Sequence, residues 1–325
     1  MEPGTGIRGR WLSAYRRTGA DVPGGDPLPS HGAEMEGWFW RVTDAASGRV
    51  VVVLCGVNRH AAGDWATVAV ALHPGGVVRS AALDDAHADQ TQFALRAGTR
   101  TEACLEATSD RLVVTLEDVH VDLRFADPFS WPKAFGGGGV FSAVPFLNQY
   151  WHPYRLGGAA AGVVEHGNDS WSVERSRLYC ERNWGAGFPD RWWWGQAHDF
   201  HGENASVAFS GGTLRLGPIE REVAGIVVRL GERVLRLTPP LPVKSDVTAD
   251  RWGGGGRAAR GPGRQERGGA GPAPPVQAPP PPAGPTHQGT PKERPGGGEG
   301  GRGGGRGPPR EVGKTKPGGR GKARQ

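Results

Sequence analysis

From Met35 onward the chain is cut into strand-length apolar segments by polar turns, a rhythm of about 8–12 residues that belongs to all-β proteins rather than to βαβ units. Residues 35–43 are aromatic and strand-like, Asp44-Ala-Ala-Ser-Gly48 makes a polar turn, and residues 49–57 follow with Val50-Val-Val-Val-Leu54. That pair reads as a hairpin. Residues 66–72 alternate small and apolar side chains and close on His73-Pro-Gly-Gly76, with further short strands expected over 90–97 and 101–107. Arg111-Leu-Val-Val-Thr-Leu116 and His120-Val-Asp-Leu-Arg-Phe125 alternate with period two around the acidic turn Glu117-Asp118. Asp127-Pro128 and Trp131-Pro132 break the pattern, and Gly136-Gly-Gly-Gly139 reads as a joint between two β units. A second set of strands is expected over 158–165, 170–180, 192–200, 205–209, 213–216, 222–230 and 232–237. The N-terminal segment, 1–31, is mostly irregular, with one short helix over 7–17. The β units then span 32–135 and 140–250.

Residues 251–325 have a different texture. They hold 24 Gly, 14 Pro, 11 Arg and 4 Lys, with Trp252, Val276 and Val312 as their only large or β-branched apolar residues. Such a segment cannot bury enough surface to offset an ordering entropy of about 1–2 kcal/mol per residue, so a disordered tail is expected. The tail carries a net +11 and the whole chain +6, which leaves −5 on residues 1–250. The basic balance therefore belongs to the tail. It gives no reason to expect nucleic acid on the folded part, and allows at most a weak contact of the tail with a membrane surface. Cys55, Cys104 and Cys180 are far apart, without a CxxC pair, and read as buried small hydrophobes rather than as a disulfide framework or a zinc site. No apolar run approaches the ~18 residues of a bilayer-spanning helix. The expectation is a soluble, unexported, cytoplasmic protein.

The most specific segment is Tyr179-Cys-Glu-Arg-Asn-Trp-Gly-Ala-Gly-Phe-Pro-Asp-Arg-Trp-Trp-Trp-Gly-Gln196. Four of the chain's 12 tryptophans fall in it. On a strand, Trp192 and Trp194 share one face and Trp193 takes the other. A turn at Gly185 to Pro189 would bring the Glu181 strand back beside the tryptophan strand, so that Glu181, Asn183 and Gln196 approach one pocket.

This segment resembles the tocopherol cyclase family, in which a glutamate-basic-asparagine-tryptophan-glycine turn precedes Phe-Pro and a Trp-x-Trp-x-Gln strand. The matching residues are Glu181, Arg182, Asn183, Trp184, Gly185, Phe188, Pro189, Trp192, Trp194 and Gln196. Arg182 stands where the family usually has lysine, which keeps the charge and changes the donor geometry. Glu36-Gly-Trp-Phe-Trp-Arg41 is similar to the family's opening Glu-Gly-Trp-Tyr strand, and Pro145-Phe146 with His152 to its aromatic, histidine-bearing entry into the second unit. The resemblance implies two lipocalin-like β-barrel or sheet units. The second is shortened here, because the family has more β-structure after its Trp-x-Trp-x-Gln strand.

The resemblance also implies a reaction, cyclisation of a prenylated hydroquinone to a chromanol, with neither cofactor nor metal. The alternatives are a non-catalytic lipocalin-like binder of prenyl lipids or carotenoids, and a hydratase on the same scaffold. The partner in each case is a hydrophobic prenylated aromatic or isoprenoid ligand. Protonating an alkene near neutral pH needs a carboxyl raised by apolar surroundings, aromatic faces for the cation and exclusion of water. Glu181 is the expected acid, with His152 as relay or phenol holder. Glu36, Trp38, Trp40, Arg182, Asn183, Trp184, Trp192, Trp194 and Gln196 are the expected substrate contacts. Each has a plainer reading as well: Glu181 in an ion pair, His152 as a packing histidine, Glu36 bonded to backbone at a bend, and the tryptophans as core. His198 and His201 would point to opposite faces of a strand, so no metal site is expected there.

Overall fold

The computed structural model describes residues 10, 11, 15, 29–99, 103–133, 135–198 and 204–238, together with the backbone of 243–249 and 254–260. The chain divides into two compact units, Met1–Ala278 and Pro279–Gln325, and every described residue lies in the first. Arg10, Trp11 and Tyr15 are helical, within the helix expected over 7–17.

The described chain is all-β apart from that fragment and one short 3-10 turn, Gly139–Ala143. An eleven-stranded antiparallel sheet has the order β4-β3-β2-β1-β11-β10-β9-β8-β7-β6-β5. Its strands are β1 (Met35–Thr43), β2 (Val50–Asn58), β3 (Trp65–His73), β4 (Val77–Asp84), β5 (His87–Ala88), β6 (Ala94–Thr99), β7 (Ala103–Thr108), β8 (Arg111–Leu116), β9 (Val119–Ser130), β10 (Gln149–His166) and β11 (Asp169–Gly185). The sheet curls until β4 comes near β6, β7 and β8. A second sheet runs β12 (Trp192–His198), β13 (Ala205–Leu216), β14 (Ile219–Leu230), β15 (Arg233–Leu237).

The hairpin expected around Asp44 forms with Thr43 opposite Val50. Its period-two pattern builds a core on each face. Trp38, Trp40, Val51, Val53 and Cys55 join Leu178, Cys180 and the apolar residues of β7–β9 inside the curl. Phe39, Val50 and Val52 lie on the other face, with Trp151, Tyr179, Ala208 and Val227. The second sheet covers that face. All three cysteines are free and buried, as expected.

Four expectations are corrected. The glycine run at 136–139 does not separate two sheets, because β10 and β11 pair with β9 and β1 in the same large sheet. Asp127-Pro128 does not end its strand, which runs on to Ser130 with Asp127 at positive φ. The pairing of β9 with β10 shifts register nearby and accommodates the break as a bulge. The tryptophan strand does not return beside the Glu181 strand: β12 pairs with β13 and stands across from β11 in the other sheet. Finally, Gly254–Arg260, inside the segment expected to be disordered, is a strand (β17) paired with Val243–Ala249 (β16). A ladder of main-chain hydrogen bonds needs no apolar side chain, which composition alone does not register. The rest of that segment, 261–325, lies outside the described residues.

Candidate functional site

A cavity of about 150 Å³ lies between the two sheets. That is room for one benzene-sized ring. The large sheet contributes Phe39 and Leu54 from β1 and β2, Trp151 from β10, and Glu181 and Asn183 from β11; β12 contributes Trp192 and Trp194. Phe39 meets Trp194 edge-on, with ring centroids 4.6 Å apart, and this contact ties the sheets together. The mouth is partly open, where Phe188 (48% exposed) and Trp192 (40% exposed) pack on each other.

Glycines form much of the opposite wall: Gly211 and Gly212 on β13, Gly225 on β14. They match bulky partners. A Cβ on Gly211 would fall 2.4 Å from the Trp193 ring that lies over it, and one on Gly195 would fall 2.4 Å from the Phe209 ring. Trp193 is register partner to Gly211 and Gly195 to Phe209, so the tryptophan strand is held by aromatic rings lying over cross-strand glycines. This leaves Trp192 and Trp194 for the cavity wall, as period two requires.

Glu181 is the only acidic residue in the described wall, and it is 4% exposed. Its Oε2 accepts a hydrogen bond from the Tyr179 hydroxyl at 2.5 Å and another from Trp151 Nε1 at 2.9 Å. Burial in this apolar site pushes the Glu181 carboxyl above its ordinary value. The bonds from Tyr179 and Trp151 oppose that rise, with a further pull from the Trp194 indole, whose Nε1 makes no hydrogen bond of full geometry. Burial, with the neighbouring Glu181, drives the Tyr179 phenol well above its usual range. The anticipated ion pair of Glu181 with Arg182 does not form, because consecutive strand residues take opposite faces. Three more buried polar atoms belong to wall residues and have no partner among the described residues: Ser142 Oγ, Gln149 Oε1 and Asn183 Oδ1. The Asn183 amide packs on β1, where a Cβ on Gly37 would stand 2.7 Å from its Oδ1. The glycine of Glu36-Gly-Trp38 is thus a seat for Asn183.

The structure divides the expected site residues between the two faces of the large sheet. Glu181, Asn183, Trp192 and Trp194 come together at the cavity. Trp38 and Trp40 lie inside the curl, packed in its core. Glu36, 1% exposed, accepts hydrogen bonds from Ser30 Oγ (2.6 Å), His31 N (2.7 Å) and Ala33 N (3.1 Å), and lies 3.4 Å from the Arg59 guanidinium. Arg182 donates to the Pro29 carbonyl at 2.7 Å. Both therefore hold residues 29–33 across the end of the sheet. Trp184 is fully buried, stacked on His31 on one side (3.7 Å) and Tyr150 on the other (5.3 Å). His152 is also fully buried and outside the cavity wall; its Nδ1 accepts from Gly137 N at 3.2 Å, and Trp131 packs edge-on against the ring. Its position is that of a packing histidine. Gln196 is buried behind the cavity, where its Oε1 accepts from Arg41 Nη1 at 3.0 Å and its main-chain oxygen accepts from the same atom.

Sequence reasoning missed Phe39, Trp151, Tyr179, Ser142 and Gln149. The signal for two of them was present. Tyr179 is two residues before Glu181 on one strand and so shares its face, and Trp151 adjoins His152 with the opposite orientation.

Comparison with known proteins matches residues 118–254 to the family described as tocopherol cyclase-like. "Probable tocopherol cyclase, chloroplastic" of Oryza sativa subsp. japonica is 36% identical over 81 residues, which are 24% of this chain and 17% of that protein. "Tocopherol cyclase, chloroplastic" of Zea mays is 31% identical over 87 residues, 26% of this chain and 18% of the maize protein. The aligned stretch spans less than a fifth of either plant protein. Among solved structures, a Nitrosomonas europaea protein assigned as AttH superposes with TM-score 0.45 at 14% identity, over 71% of this chain and 78% of that one. Kievitone hydratase from Nectria haematococca gives 0.43 at 13% identity, over 68% and 67%. The matched stretch, residues 118–254, is similar to the tocopherol cyclase-like family and holds both the buried carboxyl and the tryptophan strand.

Proposed function

We propose that this chain catalyses the acid-promoted cyclisation of a prenylated hydroquinone to a chromanol. The observation that carries the reading is a raised, buried carboxyl, Glu181, in a cavity walled by Phe39, Trp151, Trp192 and Trp194. Glu181 gives its proton to the less substituted carbon of the side-chain alkene, which leaves a tertiary cation. The phenol oxygen closes on that cation, and the phenol proton returns to the Glu181 carboxylate. Atoms and protons balance, and the product has the mass of the substrate. Aromatic faces stabilise a desolvated cation by up to about 2 kcal/mol each. The unpartnered polar atoms of Ser142, Gln149 and Asn183 supply hydrogen-bonding capacity for the ring hydroxyls. The cavity holds one ring, so the isoprenoid chain would leave through the mouth past Phe188 and Trp192.

The half-open mouth favours a second reading, hydration of the same alkene, in which water in place of the phenol traps the cation. Incubation of the full chain with a prenylated hydroquinone separates the two. A product of unchanged mass and shifted retention is expected for cyclisation, and one heavier by a water for hydration. Tight binding without conversion would identify a non-catalytic binder and overturn both. Glu181→Gln should abolish turnover while ligand still binds; turnover retained in that variant refutes the acid assignment.

A further inference from the structure

We propose that Tyr179 and Trp151 are positioning residues that confine the acidic proton of Glu181 to one oxygen, Oε1. The proposal rests on the reading of Glu181 as the acid. Both donors converge on Oε2, Tyr179 at 2.5 Å from the same strand and Trp151 at 2.9 Å from the neighbouring strand β10. An indole N–H can only donate. The Tyr179 phenol, buried and held in its protonated form, donates as well. A carboxyl oxygen that accepts two hydrogen bonds has both its lone pairs engaged, so the neutral acid carries its hydrogen on the other oxygen.

This arrangement has two consequences for the chemistry. The proton leaves from a single atom in a single orientation, which is the geometric demand of transfer to an alkene carbon. After transfer, the carboxylate charge is met at Oε2 by two charge-assisted hydrogen bonds already in place. Desolvation makes Glu181 a weaker acid and the two donors restore part of its strength, so the pair tunes the group between these limits.

Other titratable groups bear on this pair mainly through Tyr179. Arg41 of β1 acts on the phenol, and His198 of β12 stands edge-on to its ring at 6.2 Å. Cys180, next in the strand, belongs to the core on the opposite face. The facing wall residues Ser210, Gly225 and Thr238 carry no charge.

Infrared difference spectroscopy of the full chain during a pH titration tests this without substrate. The Glu181 carboxyl band is assigned by its loss in Glu181→Gln. In Tyr179→Phe the midpoint of that band should move up by about one to two pH units, the worth of a hydrogen bond to a charged group. The carbonyl stretch of the neutral acid should rise in frequency, because its oxygen loses a donor. Trp151→Phe removes the second donor, should move both in the same direction, and serves as the test if Tyr179→Phe fails to fold. An unchanged midpoint and frequency in the folded variant would overturn the proposal. A shifted band in a chain that converts no prenylated hydroquinone would leave the positioning intact and remove the enzymatic reading, whereas turnover with an unmoved band would do the reverse.

Discussion

Glu181 occupies its site at a cost. Its folded value lies above the ordinary value of 4.5, so between the two the folded chain binds a proton that the unfolded chain has lost. Stability from this group is therefore complete at acid pH and declines as pH rises through 4.5 towards the folded value. Each pH unit of that elevation is worth about 1.4 kcal/mol. Glu181→Gln should unfold like the unsubstituted chain near pH 4 or below and be more stable at neutral pH, as read by urea denaturation at the two conditions. Gly37 meets the opposite constraint, one of space. Gly37→Ala sets a methyl 2.7 Å from Asn183 Oδ1 and should cost about 1–3 kcal/mol. Adding Asn183→Ala should recover most of that loss in a double-mutant cycle, because the clash partner is then gone.

At the scale of elements, the two sheets are tied together at Asn148, just before β10. Its main-chain oxygen accepts from Ala186 N (3.0 Å) and Gly187 N (3.4 Å) at the end of β11. Its side chain donates to Thr213 O (3.3 Å) and accepts from Arg215 N (2.9 Å) on β13. One residue thus links both sheets. Asn148→Ala should cost about 1 kcal/mol and speed amide exchange at Arg215 while sparing Ala186, whose partner is backbone. Strands show how far sequence reading reaches. Period two was enough to place Glu181 with Asn183, and Trp192 with Trp194. The same rule puts Arg182 and Trp184 on the other face, whereas the family resemblance groups the whole string as one site. Strand β10 was only half anticipated. Its length of 18 residues is interrupted by register shifts, with Gly162 at φ +147 bringing its backbone against the Asp122 carbonyl. Bulges leave no apolar alternation to read.

Over the whole molecule, pH acts in two opposed directions. His198 is depressed from 6.5 to about 3, first by burial and then by Arg41, Arg177 and Arg229. The folded chain keeps His198 neutral where the unfolded chain is protonated, so its contribution is present above 6.5 and is lost as pH falls towards 3. His198→Phe should flatten the acid limb of the stability profile between those values while leaving stability near pH 8 little changed, as followed by thermal unfolding across that range. Loss of the whole acid limb, or none of it, would show that other groups dominate.

The amino-acid order alone determined the all-β class, the position of most strands, the buried cysteines and the pairing of Glu181 with Asn183. Each of these follows from side-chain period and turn chemistry, which are local. Tertiary structure decided that β10 and β11 complete the large sheet, that the tryptophan strand crosses to a second one, and that Glu36, Arg182 and His152 serve anchoring and packing. Main-chain hydrogen bonds are alike for every residue but proline, so strand partners are chosen by packing between distant segments, and no window of sequence contains that choice.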